Sequence, residues 1–312
     1  MRPAFANAIF ELAQKDKDLY LLTGDLGFSV FEDFKSTFPK QYLNVGVAEQ
    51  DMIGIAAGLA LSGKKVFAYS IVPFITLRCL EQIRNDVCLQ DTNVKLIGVG
   101  EGFSYGQLGP THHSIEDIAV LRSLPNMTIV CPGDPWEVEK TTKAFHKLKG
   151  PGYLRIGKKG EPTLHKKNDE FILGRGILMA DGDDLTIIAC GNMLYEALEV
   201  AGELARRKIS ARVISMHTVK PIDSEIILKS VRKTRAIFTL EEHNKIGGLG
   251  SAVSEVLAEA GSSVKFLRLG VDDRFTKMAG DEQFLRSTNG LATSQVVQKI
   301  LVTIDGKLKG DG

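Results

Sequence analysis

The chain repeats one unit along its length: a short apolar run, a turn of glycine or small residues, and then a segment with helical periodicity. Strands that alternate with helices in this way indicate β-α-β units and a mainly parallel sheet covered by helices on both faces. Predicted strands lie at Asp18–Thr23, Tyr42–Val45, Lys65–Ser70, Val94–Val99, Thr128–Cys131, Tyr153–Ile156, Leu185–Cys190, Ala211–Ser215, Ala236–Thr239 and Val264–Leu269. The pattern predicts an α/β fold with two doubly wound domains.

Segments with apolar residues at helical spacing separate these strands. They are Pro3–Gln14, Glu49–Ser62, Phe74–Leu89, Ser114–Ser123, Pro135–Lys147, Met193–Arg207, Asp223–Arg232, Gly250–Ala260 and Ala292–Leu301. Between the halves, Gly157–Glu170 is polar, charged and interrupted by glycine and proline, which is typical of a linker or an edge hairpin. We therefore predict one domain at residues 1–160 and a second at 161–312, with the last residues, 306–312, frayed.

Composition excludes several classes of function. The formal net charge is +1, so no global field favours nucleic acid or an anionic membrane as a partner. No apolar run approaches the roughly 20 residues that span a bilayer, and the first residues lack the apolar core of a signal peptide. The four cysteines have no CxxC spacing and no histidine at ligand spacing. They are predicted to be buried thiols of a cytoplasmic protein, with no metal site in this chain.

Several glycine-rich segments do not carry a nucleotide-binding pattern. Gly98–Gly102 follows a strand but lacks the G-x-G-x-x-G spacing and does not lead into a helix. The P-loop pattern does not occur in the sequence. Gly102–Gly106 has the G-x-S-x-G spacing of a nucleophile elbow but does not lead into a predicted helix. Gly247–Gly250 leads into a predicted helix, where it could receive an anion at the helix N-terminus or allow close helix packing. Both interpretations remain open at this point.

A lone glutamate, Glu49, stands at the start of a helix that is almost uncharged after Asp51. Such a carboxylate is either a first-turn charge that answers the helix dipole or a group held in a low dielectric for chemistry. The residues around Glu49 do not by themselves decide between the two.

Three loops that follow strands of the first half carry polar groups: Thr23–Ser29, Gly46–Gln50 and Ser104–Asp117. In an open parallel sheet these loops lie at the carboxyl ends of the strands, where such folds bind ligands. The segment Tyr69–Arg78 adds an aromatic side chain, Phe74, at the same edge. A carboxylate, an aromatic face and the histidine-containing loop Ser104–Asp117 (the histidine loop) at one edge could orient a heteroaromatic ring.

Four motifs give the chain a resemblance to a known family: Gly46–Gln50, Gln82–Asp86, Gly109–His113 and Thr239–Ser251. In this order and spacing the chain resembles the C-terminal half of transketolase, which is a pyrimidine-binding domain followed by the transketolase C-terminal domain. The resemblance covers essentially the whole chain. It implies thiamine diphosphate as the cofactor and transfer of a two-carbon ketol unit between sugar phosphates.

The resemblance also implies roles for individual residues toward the cofactor. Glu49 matches the glutamate that hydrogen-bonds N1′ of the aminopyrimidine and so promotes removal of the proton from the thiazolium C2. Phe74 matches an aromatic that stacks on the pyrimidine, although it could also be an ordinary core residue. Asp25 matches an acidic residue beside the cofactor, with turn capping as the alternative. Arg78, four residues after Phe74, is counted with this cofactor-binding group.

Toward the substrate, His112 matches the histidine that meets the donor's oxygens near the reactive carbon, and it is counted as catalytic together with Glu49. Arg2, Ser29 and Arg155 match positions that hold the sugar phosphate, and arginine is suited to that contact. Leu108 departs from the family, because typical transketolases have an aspartate there that recognises a sugar hydroxyl. Gly100 likewise stands where some members carry a phosphate-binding histidine. Substrate identity therefore does not transfer.

The family binds the diphosphate and Mg²⁺ through a Gly-Asp-Gly motif followed about thirty residues later by asparagine. The sequence has no such element in the expected context, since Asp181–Asp184 precedes a strand. The chain is therefore expected to be the C-terminal subunit of a split transketolase. An N-terminal partner subunit would bind the metal. The family's two-fold arrangement suggests an α₂β₂ heterotetramer, with the apolar helix that begins at Glu49 at the interface.

Two alternatives remain open. One is a different thiamine enzyme, either the β subunit of a 2-oxoacid dehydrogenase first component or a deoxyxylulose-phosphate synthase-like protein. The other is a non-catalytic interaction subunit that keeps the fold. Gly109–His113 and Glu241–Asn244 favour a sugar-acting member over the first alternative. The joint presence of Glu49, Phe74 and His112 argues against the second.

Overall fold

A computed structural model describes residues 1–158, 160–166 and 169–305 of the chain. Residues 306–312, for which fraying is predicted, lie outside the described part. The elements of the first half are α1 (Arg2–Ala13), β1 (Leu19–Thr23), α2 (Glu32–Thr37), β2 (Tyr42–Asn44), α3 (Glu49–Leu61), β3 (Lys65–Ile71), α4 (Val72–Ile75), α5 (Leu80–Gln82), β4 (Val94–Val99), α6 (Asp117–Arg122), β5 (Thr128–Val130), α7 (Pro135–Lys147) and β6 (Gly152–Ile156). A π-helix, Ile83–Cys88, follows α5, and two 3₁₀ turns, Gly106–Leu108 and Pro110–His112, follow β4.

The second half continues the alternation of strands and helices. Its elements are β7 (Ile177–Ala180), β8 (Leu185–Ala189), α8 (Met193–Ala205), β9 (Ala211–Ser215), β10 (Thr218–Lys220), α9 (Ser224–Lys233), β11 (Ala236–Asn244), α10 (Leu249–Glu259), β12 (Lys265–Val271), α11 (Glu282–Thr288) and α12 (Thr293–Ile304). One of these strands, β10, leaves its own half and pairs antiparallel with β5 of the first half, which ties the two sheets together.

The strands form a seven-stranded sheet in the order β10-β5-β6-β4-β3-β1-β2 and a five-stranded sheet in the order β12-β11-β8-β9-β7. Every pairing between the described strands is parallel except those of β10 with β5 and of β7 with β9. The α/β class with two mainly parallel, doubly wound sheets is thus confirmed. Strands β4, β6 and β8 are buried along their whole length, as expected for sheets covered on both faces.

Both sheets contain a point where the strand order reverses. In the first sheet it lies between β1 and β3, and in the second between β8 and β11. Open α/β sheets bind ligands in the crevice outside the carboxyl ends of the strands at such a point. The first crevice is bordered by Thr23 and Ser70, and the second by Cys190 and Glu241.

The structure differs from the predicted helices at two positions that border the candidate site. The helix predicted at Phe74–Leu89 is divided into α4, α5 and the π-helix. Its continuity breaks near Thr76, whose hydroxyl donates to the carbonyl of Val72 at 2.6 Å. The helix predicted at Ser114–Ser123 begins only at Asp117, because Ser114 forms a β-bridge with Gly102 instead.

Among the described residues, no helix is long and apolar enough to cross a bilayer. The cysteines are free thiols, and all four are buried, as predicted: Cys79, Cys88, Cys131 and Cys190. Within the same residues, no group of three or more His, Cys, Asp or Glu side chains is arranged to hold a metal ion.

Candidate active site

Glu49 lies in the crevice at the β1/β3 reversal point. It is the first residue of α3, yet its side chain is only 1% exposed. The hydroxyl of Ser70, near the end of β3, donates to Oε1 of Glu49 at 2.9 Å. Gly24, just after β1, leaves the space that Glu49 fills, since a Cβ there would lie 3.3 Å from the Glu49 Cγ. The two interpretations of Glu49 therefore both describe it: it begins a helix and it is shielded from water.

Arg78 and Phe74 complete the immediate surroundings of this carboxylate. A guanidinium nitrogen of Arg78 donates to Oε2 of Glu49. The guanidinium carbon of Arg78 also lies 4.3 Å from the Phe74 ring centroid, and the Arg78 side chain is 39% exposed. Burial, reinforced by the charge of Glu49, raises the pKa of the neighbouring Cys79 thiol to about 12, so this thiol stays protonated. Arg78 is thus a partly exposed cation that covers one face of the aromatic ring.

His112 approaches the same aromatic ring from a different element. Its imidazole and the Phe74 ring meet edge to face, with centroids 5.1 Å apart. Nδ1 of His112 lies 3.0 Å from the hydroxyl of Thr111. Burial lowers the pKa of His112, so the ring is neutral at neutral pH and can donate from one nitrogen and accept at the other. The structure therefore brings together four residues that the sequence analysis selected: Glu49, Phe74, Arg78 and His112.

Asp25 and Ser29 lie in the loop after β1, with both side chains exposed. Asp25 has a φ of +55° and is held by Asn44, whose amide donates to Asp25 Oδ1 at 3.1 Å. Ser29 has a φ of +59°, and its backbone N–H donates to Glu32 Oε1 at 2.5 Å. Residues other than glycine adopt this left-handed conformation at a cost, which is common at functional loops. Their roles toward cofactor and substrate stay predictions.

Arg2 belongs to a second cationic group at the carboxyl edge of the first sheet. Its Nε donates to the carbonyl of Lys158 at 2.7 Å, and the Lys158 Nζ lies 4.6 Å from the Tyr105 ring centroid. The Tyr105 ring fills the space that a side chain at Gly100 would need, since a Cβ there would overlap a Tyr105 ring carbon. Tyr105 in turn lies 6.5 Å from His112, centroid to centroid.

Lys158 and Tyr105 were missed by the sequence analysis. The available signal was a cation two residues beyond the carboxyl end of β6, at the edge where ligands bind. Leu108 is 57% exposed and lines a cavity of about 380 Å³ together with Tyr105 and Lys158. Leu108 therefore lies at the edge of this cavity, at the position where the sequence analysis expected a determinant of substrate choice.

Arg155 is not part of either group. Its side chain is 1% exposed, and its nitrogens are engaged inside the protein. Nε donates to Asp117 at 2.9 Å, one terminal nitrogen donates to Glu101 at 3.1 Å, and the other donates to the carbonyls of Ser114 and Glu242 at 2.6 and 3.1 Å. A guanidinium whose three nitrogens all donate to protein groups, and which has no access to solvent, is not placed to receive a substrate phosphate. The structure gives Arg155 a structural position, in contrast to the phosphate contact implied by the resemblance.

Fold and site together define an α/β protein of two parallel-sheet halves, with a buried carboxylate and an aromatic ring at the reversal point of the first sheet. Residues 1–161 match the family described as transketolase, pyrimidine binding domain. Residues 174–289 match the family described as transketolase, C-terminal domain. The chain therefore belongs to the transketolase family, which confirms the predicted family and the predicted class of enzyme.

Individual relatives agree with this assignment. The chain is similar to one subunit of an apulose-4-phosphate transketolase from Phocaeicola vulgatus, with 44% identity over 260 residues and 83% of each chain covered. It is 38% identical over 304 residues to a transketolase C-terminal section from Methanocaldococcus jannaschii, covering 96% of this chain and 95% of the relative. A solved structure described as a split gene transketolase, inactive beta4 tetramer, superposes with a TM-score of 0.88 at 37% identity, covering 97% of each chain.

The first alternative is also represented among the relatives. A 1-deoxy-D-xylulose-5-phosphate synthase from Gloeobacter violaceus is 33% identical over 301 residues. That match covers 95% of this chain but only 47% of the relative. Deoxyxylulose-phosphate synthases are therefore the weaker comparison, both in identity and in the share of the relative that this chain spans.

Proposed function

We propose that this chain is the C-terminal subunit of a split, thiamine-diphosphate-dependent transketolase that transfers a ketol unit between sugar phosphates. The observation that carries the proposal is the buried Glu49 carboxylate beside Phe74 and His112 at the β1/β3 reversal point. A charged group is held away from water only where something offsets the cost. Ser70 and the partly exposed Arg78 are the side chains that donate to it within the described residues. The carboxylate retains free lone pairs for a further donor.

These residues fit the aminopyrimidine half of thiamine diphosphate. Glu49 would hydrogen-bond the ring nitrogen N1′, and Phe74 would lie against the ring after Arg78 moves from the face that it covers. When bound, the cofactor would supply the carbon nucleophile for the carbonyl of the donor sugar. Glu49 would hold a proton at N1′ in a site shielded from water. The neutral imidazole of His112 would exchange hydrogen bonds with the hydroxyl and carbonyl oxygens of the substrate.

An N-terminal partner subunit is proposed to bind the diphosphate and Mg²⁺. The names of the relatives support this proposal, because they describe one subunit of a transketolase, a C-terminal section and the product of a split gene. The exposed face of α3 is the proposed contact surface, since it presents Gly54 and Gly58 next to the exposed apolar side chains Ile55 and Leu61. Two glycines on one face let another helix approach closely, and the apolar side chains favour burial. We propose an α₂β₂ assembly.

The proposed substrates are ketose phosphates or similar sugars with a terminal anion. Arg2 and Lys158 support this class, because their cationic groups lie at one side of the histidine loop, close to Tyr105. The apolar Leu108 replaces an acidic side chain, so the donor is proposed to differ from an ordinary ketose phosphate near that position. The buried thiols are compatible with a reducing compartment, and we propose a cytoplasmic location.

The split arrangement is tested by binding of thiamine diphosphate. The isolated chain is expected to bind the cofactor weakly and to gain no affinity from Mg²⁺, because the diphosphate–metal contacts belong to the partner. The complex with the partner is expected to bind the cofactor tightly and only with Mg²⁺ present. Isothermal titration calorimetry with and without Mg²⁺ measures both. Tight, Mg²⁺-dependent binding by the isolated chain would reject the division of the site between two subunits.

Lys158→Met is expected to raise the apparent KM of the complex for a phosphorylated ketose about 10–100-fold while kcat changes little. The reason is that one charge-assisted hydrogen bond to the distal phosphate contributes about 1.5–3 kcal/mol to binding and does not act on the reacting carbon. A non-phosphorylated donor such as hydroxypyruvate should be used as well as before. Lys40→Met, which removes an exposed lysine elsewhere, serves as the control. Equal effects on both donors would assign Lys158 to structure.

A further inference from the structure

The motif Thr239–Ser251 has no part in the site described above. Its glycines were considered as a place for an anion at the N-terminus of a helix. In the structure, the side chain of Glu241 already occupies that place, because its carboxylate accepts from the backbone N–H of Leu249 at 2.7 Å and of Gly250 at 2.8 Å. The N-terminus of α10 is therefore capped from within the second half. The motif must be explained by something other than binding of an external anion.

The crevice at the β8/β11 reversal point, where a sheet of this type binds its ligand, is filled by the first half of the same chain. Residues 101–103, which lead into the histidine loop, enter this crevice. Glu101 Oε1 accepts from the backbone N–H of Asn192, just after β8, at 3.2 Å. Glu242 Oε2, on β11, accepts from the backbone N–H of Phe103 at 3.3 Å. The second half thus uses its ligand-binding position to hold the loop that carries His112.

Glu242 is the centre of this contact. It is 1% exposed, and its side chain also accepts from Arg286 Nε at 2.6 Å and from the Asn192 amide at 3.1 Å. The approach of Glu242 to the loop requires glycine at position 102. A Cβ there would overlap Glu242 Oε2, and the φ of Gly102 is +56°.

Side-chain packing connects the contact at Glu242 with the candidate active site. The Phe103 ring meets the buried His113 imidazole edge to face, with centroids 5.1 Å apart. His113 directly follows His112 in the chain, and the His112 ring lies against Phe74. The loop is closed at its base by the pair of hydrogen bonds between Gly102 and Ser114, at 3.2 and 2.8 Å. The second half contacts it at further points: the Gly280 N–H donates to the Gly106 carbonyl at 3.2 Å, and the Ser104 hydroxyl donates to Glu282 at 3.4 Å.

We propose that Glu242 is a positioning residue of the second half, which fixes the histidine loop at Gly102–Phe103 and thereby holds His112 against Phe74. The proposal rests on the proposed function for its consequence in turnover, but the ordering of the loop does not depend on it. A displacement of about 1 Å in a reacting group can lower a rate by about 10²-fold. Glu242 would therefore act on catalysis through the position of this loop.

The test compares Glu242→Ala with Glu241→Ala, a neighbouring buried acid whose described hydrogen bonds stay within the second half. In the full chain, hydrogen–deuterium exchange with mass spectrometry should show that residues 102–113 exchange at least about tenfold faster in Glu242→Ala. In the complex, kcat for ketol transfer should fall about 10–100-fold with KM changed less than about threefold. Glu241→Ala should leave both the exchange of the loop and kcat at the wild-type level.

Glu242→Gln retains an acceptor for the Phe103 N–H and should restore most of the protection and most of kcat. If Glu242→Ala does not fold, Gly102→Ala disturbs the same contact from the loop side and should give the same pattern. Wild-type exchange of the loop in the tested variant, or an equal loss of kcat in Glu241→Ala, would overturn the proposal. If the wild-type complex transfers no ketol unit, the proposed function fails, and the exchange measurement alone decides this inference.

Discussion

Replacing Glu49 by glutamine is expected to lower ketol transfer by the reconstituted complex about 10²–10⁴-fold, the range that a positioned acid–base group contributes. The amide keeps the size of the side chain and can still accept from the Ser70 hydroxyl, so the fold should be preserved. It cannot hold a proton at the cofactor's ring nitrogen as a carboxyl group does. It also removes the charge that pairs with Arg78, which leaves that guanidinium free to turn outward.

The measurement that isolates the role of Glu49 is exchange of the C2 proton of bound thiamine diphosphate, followed by NMR in the reconstituted complex. The rate of exchange should fall in parallel with turnover. Asp33→Asn is the control, because Asp33 is an exposed acid in the first turn of a different helix, α2. Its effect on turnover should be small. Exchange at the wild-type rate in Glu49→Gln would show that Glu49 is only a helix-start charge.

The second large effect is expected from Arg155→Met, which should lower the free energy of unfolding by about 3–5 kcal/mol. Removal of the guanidinium leaves the buried carboxylates of Asp117 and Glu101 without their shared cation. Burial already raises the pKa of Glu101 well above its usual range, against the influence of Arg155. The carbonyls of Ser114 and Glu242 also lose a donor, so the contact between the two halves is weakened.

Urea unfolding of the full chain, followed by circular dichroism, measures this loss. Arg235→Met is the control, since Arg235 pairs with Asp184 at the surface and should change stability by less than about 0.5 kcal/mol. The prediction separates two roles for Arg155. A phosphate-binding arginine would leave stability unchanged and raise KM for phosphorylated donors. That result would contradict the structural position assigned here.

The catalytic candidates of the first half could be selected before the fold was known, because each of them follows a predicted strand. Glu49, Phe74 and His112 lie after β2, β3 and β4, and parallel strands bring their carboxyl ends to one edge. Arg78 could be placed near Phe74 by its spacing. Its contacts with both Glu49 and the Phe74 ring depend on the break between α4 and α5, which the helical periodicity of the segment does not reveal.

Arg155 and Lys158 illustrate where sequence reasoning fails. Both are cations at or near the end of β6, only three residues apart. Arg155 lies within the strand, where its side chain enters the contact between the two halves and meets Asp117 and Glu101. Lys158 lies beyond the strand, and its ammonium group reaches Tyr105. Position in a motif does not tell which of the two cations faces the crevice, because that depends on what packs against the strand.

The sequence by itself determined the α/β class, the succession of strands and helices and the residues at the edge of the first sheet. These follow from local periodicity and from the geometry of parallel strands, which each segment carries alone. Only the tertiary structure decided that β10 crosses to the first sheet, that Glu241 caps α10 and that Glu242 enters the histidine loop. The contacts of β10 and of Glu242 join the two halves across up to 139 positions, so they form only when both sheets are folded and docked.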